Sequence, residues 1–220
     1  MSLDEYLALE EAGGRRHEFH ALPGDPTRGE VLAMSGATEP HCVASANLIR
    51  LVGNAVQGTG CRAMSESMKI FAPGSADAAG NETGSRHLYP DLSVRCGEPR
   101  FAGDDEPETP PKRTTLLNPA AVFEVLSPST EKYDRFEKFA AYRSIPSLRE
   151  YVLIQQDRPA VEVYTRREDG GWAFDFFLGT PLGNDAEAEL PGLGITLSLP
   201  DLYDGVEMDP ASWAVPEEER

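Results

Sequence analysis

Residues 120–126 read AAVFEVL, an apolar run in which only Glu124 carries a charge. A nearly unbroken run of this length is typical of a strand that is covered on both faces, so it predicts an α/β domain with a buried sheet. An ionised carboxylate in such a strand costs several kcal/mol unless its pKa rises or a positive group meets it. The run therefore predicts a partner for Glu124, either a basic side chain or a metal cation.

Hydrophobic periodicity and turn residues predict the elements around this strand. Helices are expected over 3–9, 38–55 and 130–143, and strands over 16–22, 29–34, 62–71, 88–96, 120–126, 150–154, 160–164, 172–178 and 194–199. The segments 73–86 and 97–118, rich in Gly, Pro and acids, are expected to be loops. This order predicts one central mixed sheet flanked by helices, in a single domain of residues 1–204 with an acidic tail of residues 205–220.

A second candidate carboxylate is Asp91, in the segment YPDLSVRC, on the strand face opposite Leu88 and Leu92. Carboxylates from neighbouring strands can hold a hard cation such as Mg²⁺ through oxygen, with waters and a phosphate completing its shell. An aspartate after proline is also common at a turn or a sheet edge, and a buried glutamate often pairs with a structural lysine or arginine. The pattern alone leaves these interpretations open.

The helix predicted over 130–143 carries a lysine that could reach Glu124. One face of this helix, at i, i+4, i+7 and i+8 spacing, holds Asp134, Lys138, Ala141 and Tyr142. If that face packs on the sheet, the Lys138 ammonium could orient a nucleophilic water or offset charge in a phosphorane-like transition state. The simpler alternative is a surface ion pair between Asp134 and Lys138.

The histidines and cysteines give weaker signals. His41 begins the apolar stripe of the helix predicted over 38–55, so it is expected to face inward, either as a core histidine or in contact with substrate or water. The other histidines show no metal-ligand spacing, which argues against a zinc site. Cys42, Cys61 and Cys96 are widely spaced and odd in number, so they are expected to be buried thiols in a reducing cytoplasm. Glu18 and Glu66 are further carboxylates on predicted strands.

The formal net charge of -17 is unfavourable for a protein that would bind phosphates. Residues 185–220 carry ten acids against Arg220 alone, a net of -9, whereas residues 132–149 carry five basic residues against two acids, a net of +3. Solubility and helix-face pairing explain both segments equally well. No signal peptide or membrane span is expected, and the motifs GxxxxGKS/T, GxGxxG, HExxH and GxSxG do not occur.

Taken together, several segments resemble one known family. These are LDEYLALEE, GEVLAMSGATEPH, GCRAMSESMKIF, YPDLSVRC, EVLSPST followed by DRFEKFAAY, and GLGITLSLPDLYDGV. They resemble the Uma-two family of restriction endonuclease-like proteins over nearly the whole chain. The resemblance implies a PD-(D/E)XK restriction-endonuclease-like fold, with the PD motif at Pro90-Asp91 and the second acid at Glu124. It also implies the main-chain carbonyl of Val125 as an extra metal ligand.

The chain departs from the superfamily pattern two positions after Glu124, where Leu126 replaces the usual lysine. The resemblance implies that Lys138 on the following helix takes that place, with Lys132 as the second candidate. His41 matches a histidine that the family tends to carry, with no assigned role.

The first hypothesis is a cytoplasmic endonuclease that uses Mg²⁺ or Mn²⁺ to cut phosphodiester bonds in DNA, with Asp91 and Glu124 on the metal and Lys138 assisting the water. A homodimer would let two sites address two strands, although no sequence pattern demonstrates one. The second hypothesis is an inactive nuclease-fold binding or regulatory protein, which the acidic surface favours. The third is a metal hydrolase acting on a small phosphorylated molecule. Analogy of fold does not decide between them.

Overall fold

The computed structural model describes residues 1–34, 36–75, 83–104, 113–179 and 186–208. Its helical segments are α1 (Leu3–Glu11), α2 (Glu39–Ala55), α3 (Glu131–Tyr133), a π-helical segment (Asp134–Lys138), α4 (Phe139–Tyr142) and α5 (Leu199–Leu202). Its strands are β1 (His17–Leu22), β2 (Asp25–Ala33), β3 (Cys61–Ser65), β4 (Lys69–Ala72), β5 (Arg86–Leu88), β6 (Leu92–Cys96), β7 (Thr115–Leu116), β8 (Ala121–Leu126), β9 (Glu150–Gln155), β10 (Ala160–Arg166), β11 (Trp172–Leu178), β12 (Glu187–Leu190) and β13 (Ile195–Ser198). We call the continuous helical stretch of residues 131–142 the site helix.

The predicted buried strand is β8, which lies inside a six-stranded mixed sheet of order β11-β10-β9-β8-β6-β3. All six residues of β8 are buried, as the apolar run predicts. β8 runs parallel to β9 and antiparallel to β6. On one face of the sheet the core includes Ala44, Leu48 and Val52 of α2. On the other face it includes Tyr142 of the site helix. The α/β class with a mixed sheet between helices is therefore confirmed.

Besides this sheet, the described residues form a five-stranded sheet of order β2-β1-β5-β4-β7 and a β12–β13 hairpin, which the sequence did not predict as separate sheets. α1 packs Tyr6 against Phe19 of β1 in a small separate core. Strand β2 begins at Asp25, earlier than expected, so the β1–β2 turn is shorter than the Pro/Gly pattern suggested. β7 lies inside the segment that was expected to be a loop, and β12 was not predicted.

Two predicted strands are each divided between the two large sheets. The segment 62–71 forms β3 in the six-stranded sheet and β4 in the five-stranded sheet, with a turn closed by the hydrogen bond from Met68 N to Ser65 O (3.0 Å). The segment 88–96 divides in the same way into β5 and β6. Asp91 is consequently not in mid-strand but at the break directly before β6. Its position at a strand end leaves its side chain free to turn toward β8.

The cysteines differ from the expectation of buried thiols. Cys61 and Cys96 lie directly opposite each other on β3 and β6 and form a disulfide, whereas Cys42 is a free, exposed cysteine. Sequence spacing could not show this pair, because the 35-residue separation is closed only by the pairing of the two strands. A persistent disulfide is unusual in a reducing cytoplasm, so the cytoplasmic location stays a prediction.

At the carboxyl end, Val206 and Met208 pack against the core beside α2. The proposed domain boundary at residue 204 stays a prediction, and residues 209–220 of the expected acidic tail lie outside the described residues. Among the described residues, no helix is long and apolar enough to span a membrane.

Candidate active site

A cavity of about 800 Å³ opens beside the carboxyl end of β8. Its wall is formed by β1, residues 32–34 and 36–38, α2, β8 and the site helix. The acidic, basic and histidine side chains that line it are Arg16, Glu18, His41, Glu66, Asp91, Glu124, Asp134 and Lys138. The cavity thus brings together Asp91, Glu124, Lys138 and His41 from four separate parts of the chain.

Asp91 is fixed by the backbone of β8. The pairing of β6 with β8 ends at Leu92 opposite Phe123, so Val125 lies beyond the end of β6. The N–H of Val125 donates to Oδ2 of Asp91 at 2.7 Å. Because the N–H and C=O of one strand residue point to the same side, the carbonyl of Val125 also faces this opening. A carboxylate and a main-chain carbonyl therefore meet where β6 ends.

His41, from the first turns of α2, contacts the same place. Its Nε2 lies 3.4 Å from Oδ2 of Asp91, and its ring also interacts with the carbonyl of Val125. Its Nδ1 lies 3.4 Å from Oγ of Ser45. Burial lowers the pKa of His41, but the hydrogen bond and charge of Asp91 outweigh it and raise the pKa above its ordinary value. His41 is a partly buried cavity residue, with a protonated form that Asp91 stabilises.

Glu124 meets the positive partner that its burial requires. Its Oε1 accepts from Nζ of Lys138 at 3.0 Å and from the hydroxyl of Tyr142 at 3.1 Å. Glu124 is only 2% exposed and Lys138 only 6%, so this contact is shielded from water. The helix face that the sequence indicated is thus turned toward the sheet, and Lys138 and Tyr142 both lie on this face and contact Glu124.

The π-helical segment determines how the site helix presents its charges. The N–H of Phe139 bonds to the carbonyl of Asp134, five residues back, and the hydroxyl of Tyr151 donates to the same carbonyl at 2.9 Å. The side chains of Asp134 and Lys138 are both buried, and Nζ of Lys138 lies 3.3 Å from Oδ1 of Asp134. π-Helical turns of this kind are frequent at functional sites. The contact is a buried one, which excludes the interpretation of Asp134 and Lys138 as a surface pair.

Sequence reasoning named Glu18 only as a further strand carboxylate and gave it no role, but it approaches Lys138 from the five-stranded sheet. Its Oε1 lies 3.5 Å from Nζ of Lys138, and its Oε2 accepts from the hydroxyl of Tyr133 at 2.6 Å. The same hydroxyl lies 2.8 Å from Nε2 of His20. The available signal was a carboxylate within a predicted strand, directly before the apolar Phe19. Its contact with a residue 120 positions later was not predictable from local spacing.

Burial and charge act differently on the three carboxylates around Lys138. Burial raises the pKa of Glu124 well above its ordinary value, although the Lys138 ammonium opposes this shift. Burial likewise raises the pKa of Asp134. Burial also favours the neutral form of Glu18, but Lys138 and the hydrogen bonds from His20 and Tyr133 lower its pKa to about 2. The three carboxylates in turn raise the pKa of Lys138 and keep it charged, against the effect of burial.

One ammonium cannot balance Glu18, Glu124, Asp134 and the nearby Asp91, and the charge of Asp91 itself raises the pKa of Glu124. The excess negative charge is suited to an added proton or cation. Among the described residues, no group of three or more His, Cys, Asp or Glu side chains is arranged to hold a metal ion. The arrangement therefore does not fit a closed protein cage. Two carboxylates with a carbonyl fit Mg²⁺, which usually keeps several waters.

The remaining predicted residues lie outside this group of contacts. Lys132, the second candidate for the lysine role, is exposed and does not line the cavity. Glu66 does line it, but at its rim, where the side chain is half exposed and lies 3.4 Å from the guanidinium of Arg16. Of the two lysine candidates, only Lys138 reaches a candidate carboxylate.

Comparisons with known proteins support the same fold. The model of the Uma2 (Uma-two) family, described as "Putative restriction endonuclease", matches residues 3–199. An uncharacterized protein of Synechocystis sp. is 28% identical over 94% of this chain and 93% of its own length. A second uncharacterized Synechocystis protein is 30% identical over 84% of this chain and 89% of its own length. A crystal structure titled as a "putative nuclease" from Anabaena variabilis superposes with a TM-score of 0.62, at 18% identity, covering 93% of this chain and 98% of that one.

Proposed function

The chain belongs to the Uma2 family, and from this membership together with its cavity we propose that it is a metal-dependent endonuclease that hydrolyses phosphodiester bonds in DNA. The observation that carries the proposal is the convergence of Asp91 and Glu124 on one cavity, with the Lys138 ammonium 3.0 Å from Glu124. Glu124 is buried and Asp91 is partly exposed, and an acid pair of this kind can hold a divalent cation for phosphoryl hydrolysis, while a neighbouring lysine can stabilise developing negative charge.

Asp91, Glu124 and the carbonyl of Val125 would hold Mg²⁺ or Mn²⁺. Such a cation, when bound, polarises a phosphoryl oxygen and lowers the pKa of an attacking water. The chain's own residues provide the positioning. The backbone N–H of Val125 orients Asp91, and Lys138 donates from within hydrogen-bond reach of Glu124 toward a developing negative charge. Glu18 and Asp134 hold the lysine from two further directions, which limits its movement.

Positive charge at the cavity is local. Of the five basic residues of 132–149, only Lys138 lines the cavity, and Arg16 is the other basic side chain in its wall. Most of the affinity for a polyanion would come from such local cations, and it would fall steeply with salt. A partially protonated carboxylate cluster would reduce the repulsion that DNA meets at the cavity.

The test is cleavage of supercoiled plasmid by the full chain with Mg²⁺ or Mn²⁺, combined with metal titration by calorimetry. Asp91→Asn and Glu124→Gln keep the side-chain shapes, and each is expected to abolish both metal binding and cleavage. Glu30→Gln, an exposed carboxylate on β2 outside the cavity, is the matched control and is expected to change neither. Cleavage that survives both site substitutions eliminates the proposal.

The second candidate is a nuclease-fold protein that binds a partner without catalysis. It is favoured by the ion pair itself, since Lys138 already occupies one oxygen of Glu124. It predicts a stably folded chain that neither binds metal nor cleaves DNA. In this case Asp91→Asn leaves the binding of the partner unchanged. Calorimetry on the unsubstituted chain separates the two candidates.

A further inference from the structure

Strand β11 forms one edge of the six-stranded sheet, and a row of apolar side chains along it is exposed. β11 pairs with β10 on its inner side, and no other described strand pairs with its outer side. Phe174, Phe176 and Leu178 are 54%, 46% and 51% exposed. A long edge strand with an exposed apolar row favours association with another strand, because its backbone groups are unpaired.

The hydrogen bonds to β10 show which backbone groups of β11 are free. At the two ends of β11, the N–H of Gly179 donates to the carbonyl of Pro159 (2.7 Å) and the carbonyl of Gly171 accepts from the N–H of Arg167 (2.8 Å). Both glycines have odd numbers, so the odd-numbered residues of this strand bond toward β10. In an antiparallel ladder the inward and outward groups alternate along the strand. The N–H and C=O of the even-numbered residues therefore point away from β10. These are the same residues that carry the exposed apolar side chains.

We infer that β11 pairs antiparallel with β11 of a second copy of the chain, about a two-fold axis at Phe176. In this register Phe176 lies opposite Phe176 of the second copy, and Phe174 lies opposite Leu178 in both directions. Each of these opposed pairs can exchange both of its backbone hydrogen bonds. Opposed residues share a sheet face, so the whole apolar row meets its own copy.

The neighbouring two-fold registers fit less well. Setting Phe174 opposite Phe176 of the second copy places Asp175 directly opposite its own copy in a closely spaced pair, where like charges are destabilising. Setting Phe174 opposite its own copy places Leu178 beside Gly170, in the hairpin turn before β11, and leaves that leucine without an apolar partner. Asp175 is the only charged residue of β11, so the register at Phe176 is also the one that separates the carboxylates while using the full row.

The surface is on the candidate site's face of the sheet. Glu124 is paired with Leu153, Leu153 with Glu162, and Glu162 with Phe176, and directly opposed residues lie on one face. The pairing leaves the cavity uncovered, because β11 and β8 are separated by β9 and β10. The inference does not depend on the nuclease proposal, since it concerns an edge that holds none of the candidate site residues.

The first test is the molar mass of the full chain in solution, measured by light scattering over a concentration series. The unsubstituted chain is expected to be a dimer, and Phe176→Lys is expected to be a monomer with unchanged circular dichroism. Phe136→Lys is the matched control, because Phe136 is 66% exposed on the site helix and outside β11. A monomeric unsubstituted chain, a dimer that survives Phe176→Lys, or a dimer lost equally in Phe136→Lys would each overturn the inference.

The second test reads the register by oxidative cross-linking in a Cys42→Ser background, which removes the exposed thiol. Phe176→Cys places two thiols on opposed residues about 5.5 Å apart at Cα, within the range for a disulfide. Phe174→Cys places them several residues apart. A covalent dimer is expected from Phe176→Cys and not from Phe174→Cys, and the reverse result contradicts the register.

Discussion

Oδ2 of Asp91 accepts a hydrogen bond from the backbone N–H of Val125 at 2.7 Å, so the aspartate is attached to the strand that carries Glu124. β6 begins at Leu92, the residue after Asp91, so no residue of β6 pairs with Val125. The side chain of Asp91 accepts from the Val125 N–H in place of a strand partner. The aspartate therefore has a structural role, the satisfaction of a backbone donor, in addition to its proposed role in the site. The two roles can be separated by experiment.

Asp91→Ala is expected to lower the free energy of unfolding by about 1–3 kcal/mol, because the N–H of Val125 loses its acceptor. Asp91→Asn keeps a carbonyl oxygen in that place and is expected to cost less. Urea unfolding of both variants measures the difference. Equal losses of stability in the two variants would contradict the stabilising role of the bond between Asp91 and Val125.

The sequence predicted β8 well because a fully buried strand leaves a strong local signal, a run of apolar residues. It failed for β3–β4 and β5–β6 because alternation of apolar and polar side chains can continue through a turn while the chain passes from one sheet to another. The break at Asp91 belongs to this class of error. Local periodicity reports which face of a strand is buried but not which sheet the strand joins.

The candidate site was predictable in part for a similar reason. Glu124 is conspicuous in its apolar run, and helical spacing placed Lys138 and Tyr142 on one face. Glu18 and the π-helical turn were not predicted. Both depend on packing between distant segments, and neither changes the composition or the spacing of the residues around it. The disulfide between Cys61 and Cys96 was missed on the same physical grounds.

Replacing Lys138 tests the charge balance of the cluster. Lys138→Met removes the one ammonium that the described residues place beside Glu18, Glu124 and Asp134, and loss of one partner from a buried pair costs about 3–5 kcal/mol. The carboxylates would then hold protons more tightly in the folded state than in the unfolded state, so the loss should be largest at neutral pH and smaller near pH 4. Unfolding in urea at both pH values measures this difference.

Lys132→Met is the control for this experiment, because Lys132 is an exposed lysine on the same helix. It is expected to change the stability by less than about 0.5 kcal/mol. A loss for Lys138→Met that is independent of pH would mean that packing, and not charge, accounts for the effect.

The disulfide gives a prediction about stability. It links β3 and β6 across 35 residues, and a loop of this size is expected to stabilise the fold by about 3–4 kcal/mol through the unfolded state. Reduction, or the double change of Cys61 and Cys96 to Ser, should lower the free energy of unfolding in urea by this amount. Cys42→Ser should leave the free energy of unfolding unchanged. Thiol labelling of the folded chain before and after reduction checks the bond itself, and labelling at Cys61 without reductant would contradict it.

Glu150 gives a dependence of stability on pH at a place remote from the cavity. It is fully buried at the start of β9, where its Oε1 accepts from the N–H of Gly192 at 2.6 Å and its Oε2 has no hydrogen-bond partner among the described residues. Burial raises its pKa from the ordinary value of 4.5 to about 7, although the N–H groups of Gly192 and Leu193 oppose this shift. The folded chain therefore keeps a proton on Glu150 at pH values where the unfolded chain releases it.

Because the folded pKa is the higher one, the stability that this carboxyl contributes is present below about pH 4.5 and is lost as the pH rises to about 7. The loss is about 3 kcal/mol, at about 1.4 kcal/mol for each pKa unit. Glu150→Gln, which cannot ionise, should therefore be more stable than the unsubstituted chain at pH 8 by roughly that amount and about equal to it at pH 4.5. Glu189→Gln, an exposed carboxyl on β12, should show no such dependence, and parallel stability curves for Glu150→Gln and the unsubstituted chain would show that Glu150 is ionised in the fold.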